Sequence, residues 1–147
     1  MKKSMINFIE TKAIGYTRHG GSLWALCAAT AIRLPSWFTV SNVKEMSDKF
    51  IQNMIDYDQK DEYTHITEFV PNTTQLKSRK NVILKINDKF GVDAKYIRMF
   101  DWATYAHFKV NLRTGLIYVY ETVSNVLIGL ILSVKIKKKE AVPNESL

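Results

Sequence analysis

One cysteine, three histidines and no long apolar run leave this 147-residue chain few routes to stabilising covalent links, metal binding or membrane insertion. The lone Cys27 excludes an internal disulfide and a cysteine-based zinc cluster. It lies in the apolar run Leu23–Ile32 and reads as a small buried hydrophobe. His19, His65 and His107 have no second ligand at helical or strand spacing, so no metal is expected. Asp56, Asp58, Asp61 and Glu62 form an acidic loop without EF-hand spacing. The most apolar stretch, Val126–Val134, is about nine residues, half of what a spanning helix needs. Met1-Lys2-Lys3 is a basic start, but the residues after it lack the apolar core of a secretion signal. No internal repeat and no low-complexity segment is visible. The expectation is a cytoplasmic protein with no cofactor.

What is present is enough for a core. The hydrophobic fraction is 46% and the aromatic fraction 12%, which excludes disorder of the whole chain. The length fits a single domain over 1–140, with 141–147 as a loose tail. Residues 1–70 hold 8 Lys+Arg and 8 Asp+Glu, whereas residues 71–147 hold 13 and 6, which is the whole formal charge of +7. A pI near 9.5 points to an anionic partner: nucleic acid, a nucleotide or an acidic protein surface. The plainer meaning of the same charge is solubility.

Residues 5–14 read as weakly helical. Arg18-His19-Gly20-Gly21-Ser22 reads as a loop in which Ser22 caps a buried helix over about 23–33, apolar nearly all round and stopped by Pro35. Ser41 caps a second helix, about 42–57, with Val43, Met46, Phe50, Met54 and Tyr57 in one stripe. Tyr63–Val70 alternates loosely, as a strand does. A third helix is expected over about 74–90, with Gly91 as its left-handed C-cap. Its basic face holds Lys77, Lys80, Lys85 and Lys89, and Arg79 falls inside its apolar arc. Lys95–Phe100 is ambiguous and reads as a possible strand.

The strongest pattern is a meander from Ala106 to Ile136. Ala106–Leu112, Leu116–Val123 and Val126–Ile136 are its strands. Arg113-Thr114-Gly115 and Ser124-Asn125 are its turns. These loop lengths put Val110, Tyr118 and Ile131 in one row, with Phe108, Tyr120 and Gly129 in the next. Lys109 and His107 fall on the other face. The aromatic face is then either core, covered by a helix or a dimer partner, or a platform for stacking bases. In the second case Lys109, Arg113 and Lys137–Lys139 form a phosphate-attracting rim.

Three further candidates carry chemistry. Arg18, His19, Gly20, Gly21 and Ser22 before a helix would make an anion pocket, although no Gly-Lys-Ser/Thr follows as in a P-loop. The alternative is a Gly-rich turn before a capped helix. His65-Ile66-Thr67 resembles half of the motif of the 2H phosphoesterases, in which two His-x-Thr/Ser units flank a phosphodiester. The second unit would be His107-Phe108-Lys109, which has an ammonium where that family has a hydroxyl. The basic helix with Arg79 would track a phosphate backbone, or it is a solvated lysine face. No helix-turn-helix, zinc-finger or RNP signature accompanies it.

The blocks Arg18–Phe38 and Leu76–Tyr105, with the Lys/Ile/Asn-rich composition, resemble small early proteins of T4-type bacteriophages. That resemblance implies a phage protein made in the host bacterial cytoplasm, of a kind that binds a host enzyme or blunts a defence system. It carries over no residue roles.

The expected fold is α+β: two to three helices packed on an antiparallel meander of three to five strands. The expected function is a non-enzymatic binding protein whose basic second half meets an anionic partner, with Arg18–Ser22, Arg79, Lys109, Arg113, Tyr118 and Tyr120 as ligand-binding residues. The first alternative is a phosphodiester-cleaving enzyme using His65, Thr67, His107 and Lys109. The second is a homo-oligomer that buries its aromatic sheet face.

Overall fold

The Gly20-Gly21 pair, with φ of +58° and +80°, closes a two-residue hairpin of the mirror-image type that matches strand twist. That turn reorganises the first 40 residues relative to expectation. In the computed structural model, which describes residues 2–40, 49, 51–52, 65–78, 80–100 and 105–136, no helix follows the glycines. After α1 (Lys3–Lys12) come β1 (Gly15–His19), β2 (Ser22–Leu26) and β3 (Thr30–Arg33), all antiparallel neighbours. The helix expected over 23–33 is thus two strands. The physical reason is that a strand covered on both faces is apolar without period, as a buried helix is. Trp24, Ala25 and Leu26 are all buried, although they point alternately to opposite faces. At the turn between the strands the Cys27 amide donates to the Thr30 carbonyl at 2.9 Å.

The remaining elements are β4 (Ile66–Phe69), α2 (Thr73–Leu76), β5 (Ile83–Lys85), β6 (Phe90–Asp93), α3 (Ala94–Met99), β7 (Ala106–Asn111), β8 (Ile117–Glu121), β9 (Leu127–Ile131) and β10 (Val134–Lys135). Seven strands form one antiparallel sheet in the order β1-β2-β3-β9-β8-β7-β4, and β10-β6-β5 form a second. The fold is α+β with an antiparallel sheet, and the described residues hold ten strands rather than three to five.

The helix expected over 74–90 is also replaced. The Asn72 side chain caps α2 by accepting from the amides of Thr74 and Gln75, and α2 ends after four residues. Ile83-Leu84-Lys85 then alternates exposed, buried, exposed. The Asn87 carboxamide accepts from the amides of Lys89 and Phe90, turning β5 into β6. Gly91 is a strand residue beneath Ile83, not a left-handed cap. Arg79 lies outside the described residues. The ambiguous segment Lys95–Phe100, readable as a strand, falls on the helix α3, capped by Asp93 accepting from the Lys95 amide at 3.0 Å.

Of the helix expected over 42–57, the described residues are Lys49, Ile51 and Gln52, which are helical. Its apolar stripe lies outside them. So do Lys137–Lys139 and the expected tail 141–147.

Register in the meander differs by one residue from expectation, and this moves side chains between faces. Both hairpins have four-residue loops. The Asn111 carboxamide accepts from the amides of Arg113 and Thr114, and Gly115 takes a φ of +78°. Asn125 plays the same part at a φ of +55° in the next turn. Lys109 therefore faces Tyr118, and Phe108 faces Val119. The last expected strand is broken at Leu132-Ser133, after which β10 crosses to the second sheet.

Each face of the large sheet has its own core. The first face presents Ala25, Ile32, Phe108, Val110, Ile117 and Ile131 to α1, α2, α3 and the small sheet. Gly129 lies in this face because the Phe100 ring occupies the place a side chain would take. The second face holds Trp24, Leu26, Ala31, Tyr118 and Leu130, packed with Ile51. Each large side chain fully buried this way contributes roughly 1.5–3 kcal/mol.

Candidate functional site

A cleft of about 1180 Å³ opens beside the first face, where the start of α1, the Gly-Gly hairpin, the chain after β3 and the end of α3 meet. Its floor includes Ile32, Met99 and Phe100. Its wall includes Lys2, Arg18 and Arg33, with Glu121 as the one carboxylate among the described lining residues. Trp37 and Tyr105 stand at it, each 60% exposed. They are the two strongly exposed Phe, Tyr or Trp rings among the described residues.

Two of the cations are held by hydrogen bonds. Arg33 Nε donates to Ser22 Oγ at 2.9 Å across β2–β3. Lys2 Nζ donates to the Arg98 carbonyl at 3.0 Å, joining the entry of α1 to α3. Arg98 in turn donates from Nη1 to the carbonyls of Leu76 and Ser78, closing the end of α2. Arg98 is thus a structural cation, and the cleft-lining cations all come from the first 33 residues.

The half-chain charge count hid them. Residues 1–40 carry five basic side chains (Lys2, Lys3, Lys12, Arg18, Arg33) against Glu10 alone. The acids that balance them all fall in residues 41–70, which hold three basic and seven acidic side chains. A finer charge window would have found the basic opening segment; nothing in the sequence signals that Trp37 and Tyr105 stay exposed.

The expected site residues divide. Arg18, Gly21 and Ser22 line the cleft. They do so on a β-hairpin, so the expected helix N-terminus contributes nothing. Ser22 accepts from Arg33 instead of capping a helix. His19 lies on the second face, its ring edge-on to Trp24 at 6.5 Å, and Gly20 is at the exposed turn. Arg113 lies in the β7–β8 loop, at the far end of that hairpin from Glu121.

The expected platform of Phe108, Tyr118 and Tyr120 is not formed. Phe108 is buried in the first face and Tyr118 fully buried in the second, both within one chain. Tyr120 is half-buried; His107 stacks on it at 5.5 Å, and the Lys109 ammonium lies over its ring at 5.3 Å. This removes the reason given for an oligomer that hides the aromatic face.

The two-histidine alternative does not survive either. Register puts Thr67 opposite Val110 on the first face, whereas His107 and Lys109 alternate onto the second. Leu112, whose amide donates to the His65 carbonyl, is five residues along from His107. The two imidazoles are therefore separated by about 16 Å of strand as well as by the sheet. They cannot flank one phosphodiester.

Lys77, Lys80, Lys85 and Lys89 are exposed around the small sheet rather than along one helix. Lys85 pairs with Asp88 at 3.1 Å, and Lys95 with Asp93 at 3.8 Å. Burial pushes the Cys27 thiol up to about 11, which suits an inert side chain rather than a nucleophile. No helix among the described residues is long and apolar enough to cross a membrane. Compared with protein-family models, curated proteins and solved structures, the chain matches none of them.

Proposed function

We propose that this chain is a non-enzymatic binding protein that takes an anionic partner in the cleft bounded by Lys2, Arg18 and Arg33. The observation that carries this reading is three cations against one carboxylate among the described residues lining a single cleft with an apolar floor. Clefts that bring a few charged groups together beside apolar side chains are where ligands are bound. Guanidinium groups suit phosphate and carboxylate because they offer paired donors in a fixed plane. Binding rather than catalysis is favoured because the histidines expected to act together lie on opposite faces of the sheet.

The resemblance of Arg18–Phe38 to early phage proteins covers much of the cleft-forming segment. On that resemblance the partner belongs to a bacterial host and the protein works in its cytoplasm. The charge that serves it is not the basic second half as a whole, but the basic opening segment.

Calorimetric titration with inorganic tripolyphosphate tests the reading. Measurable binding is expected, weakened by Arg18→Ala and Arg33→Ala and by rising salt. Binding that survives both substitutions, or that is lost on neutralising the lysines of the small sheet instead, rejects it.

A further inference from the structure

Resting on that reading, we infer that the ligand of the cleft is a nucleotide, its base stacked on Trp37 or Tyr105 and its phosphates held by Arg18 and Arg33. The inference starts from an asymmetry in the aromatic residues. Phe8, Tyr16, Trp24, Phe69, Phe90, Tyr96, Phe108, Tyr118 and the others described are buried or half-buried, and among the described rings Trp37 and Tyr105 stay strongly exposed. Leaving two large rings in water forgoes burial energy that the core could have used. That both line one cleft gives the exposure a common reason.

An anion without a flat apolar part would use the cations and ignore the rings. A purely apolar ligand would use the rings and make no use of the guanidinium groups. A nucleotide has both parts joined at a fixed spacing, and aromatic faces accept any base. The geometry favours a single nucleotide over a strand of nucleic acid. Lys2, Arg18 and Arg33 approach from three separate elements around one cleft, whereas strand binders line their cations along a groove. Arg33 is pre-set for the task, since its Nε bond to Ser22 fixes the guanidinium plane before any ligand arrives.

The experiment compares the four ribonucleoside triphosphates with tripolyphosphate, using the full chain. At least one nucleotide should bind roughly tenfold more tightly than tripolyphosphate, and should quench tryptophan emission. The double variant Trp37→Ala, Tyr105→Ala should bring that nucleotide down to the tripolyphosphate affinity and leave tripolyphosphate unchanged. Trp37→Phe should retain most of the gain, which separates stacking from misfolding. Arg33→Ala should weaken both ligands alike. Equal affinity for all nucleotides and tripolyphosphate would overturn the nucleotide assignment while leaving the anion-binding role intact. Absence of binding by every one of them would end both. An oligothymidylate of about 12 residues binding tenfold more tightly than any mononucleotide would replace the nucleotide with single-stranded nucleic acid.

Discussion

Two basic regions of this molecule are built on opposite terms. Around the small sheet, lysines on separate turns and strands stand in water, and Lys85 and Lys95 already face Asp88 and Asp93. Around the cleft, Lys2 and Arg33 are fixed by hydrogen bonds to Arg98 and Ser22, beside an apolar floor and two exposed rings. The first region holds five lysines, Lys77, Lys80, Lys85, Lys89 and Lys95, against two aspartates. The second holds less charge but aims it at one place. Exposed pairs on flexible side chains contribute about 0–1 kcal/mol, so the number of cations says little about binding. Fixed cations at the wall of a cleft lose less freedom when a ligand arrives.

The sharpest break between the regions is expected at their glycines. A methyl group at Gly129 runs into the buried Phe100 ring on the cleft floor, so Gly129→Ala should cost about 2–3 kcal/mol. At Gly91 in the small sheet the obstacles are Cγ2 of Ile83, a residue 48% exposed, and the Leu84 carbonyl oxygen at 3.2 Å rather than a buried ring. Gly91→Ala should cost less, about 1–2 kcal/mol. Urea melts of both variants read this directly; equal costs would mean that the two regions are equally tightly packed.

Charge is the next test. Arg18→Ala or Arg33→Ala should each weaken binding of the cleft's ligand roughly tenfold, about 1.4 kcal/mol. The double variant Lys85→Gln, Lys89→Gln should change it less than about twofold at physiological salt. A reversed order would transfer the site to the small sheet.

A smaller effect probes the hairpin behind the cleft. Among the described residues Thr17 Oγ1 and Trp24 Nε1 are buried without hydrogen-bond partners, and the two residues face each other across β1–β2. Thr17→Val removes one orphaned group in a residue of the same shape and should stabilise by about 1 kcal/mol. Destabilisation would instead show that a buried water joins the pair.

The last expectation is one of pH. The Cys27 thiol, in the β2–β3 turn, is raised from 9.0 to about 11 by burial. Its folded value exceeds the unfolded one, so its contribution to stability is complete below pH 9 and is lost as pH rises toward 11. Alkylation by iodoacetamide at pH 9 should be roughly fiftyfold slower folded than in urea, because only about one per cent is thiolate. Equal rates would place the thiol in water.

Much of the fold was legible where local chemistry and tertiary contact agree. The helix at 3–12, the strand ending at Phe69 and the three meander strands through Ile131 follow from alternation and turn residues. The failures share a cause. Leu23–Arg33 and Lys77–Phe90 have apolar residues at spacings that suit a helix, but Gly20-Gly21 and Asn87 turn the backbone before one can form or continue. In the meander, Asn111 lengthens a loop by one residue, and Tyr118 changes face as a result. The candidate site was legible only as Arg18, Gly21 and Ser22. Lys2, Arg33, Trp37 and Tyr105 are spread over more than 100 positions and no local pattern links them.

The sequence by itself determined that the chain has a core, that its sheet is antiparallel and that its charge is positive, because composition, alternation and turn chemistry act over a few neighbouring residues. Which side chains stay in water and which cations share a cleft was decided only by tertiary structure. Exposure is a property of what another segment covers, and the covering segments here, α1, α3 and the strands they pack on, meet only once the whole sheet has closed upon them.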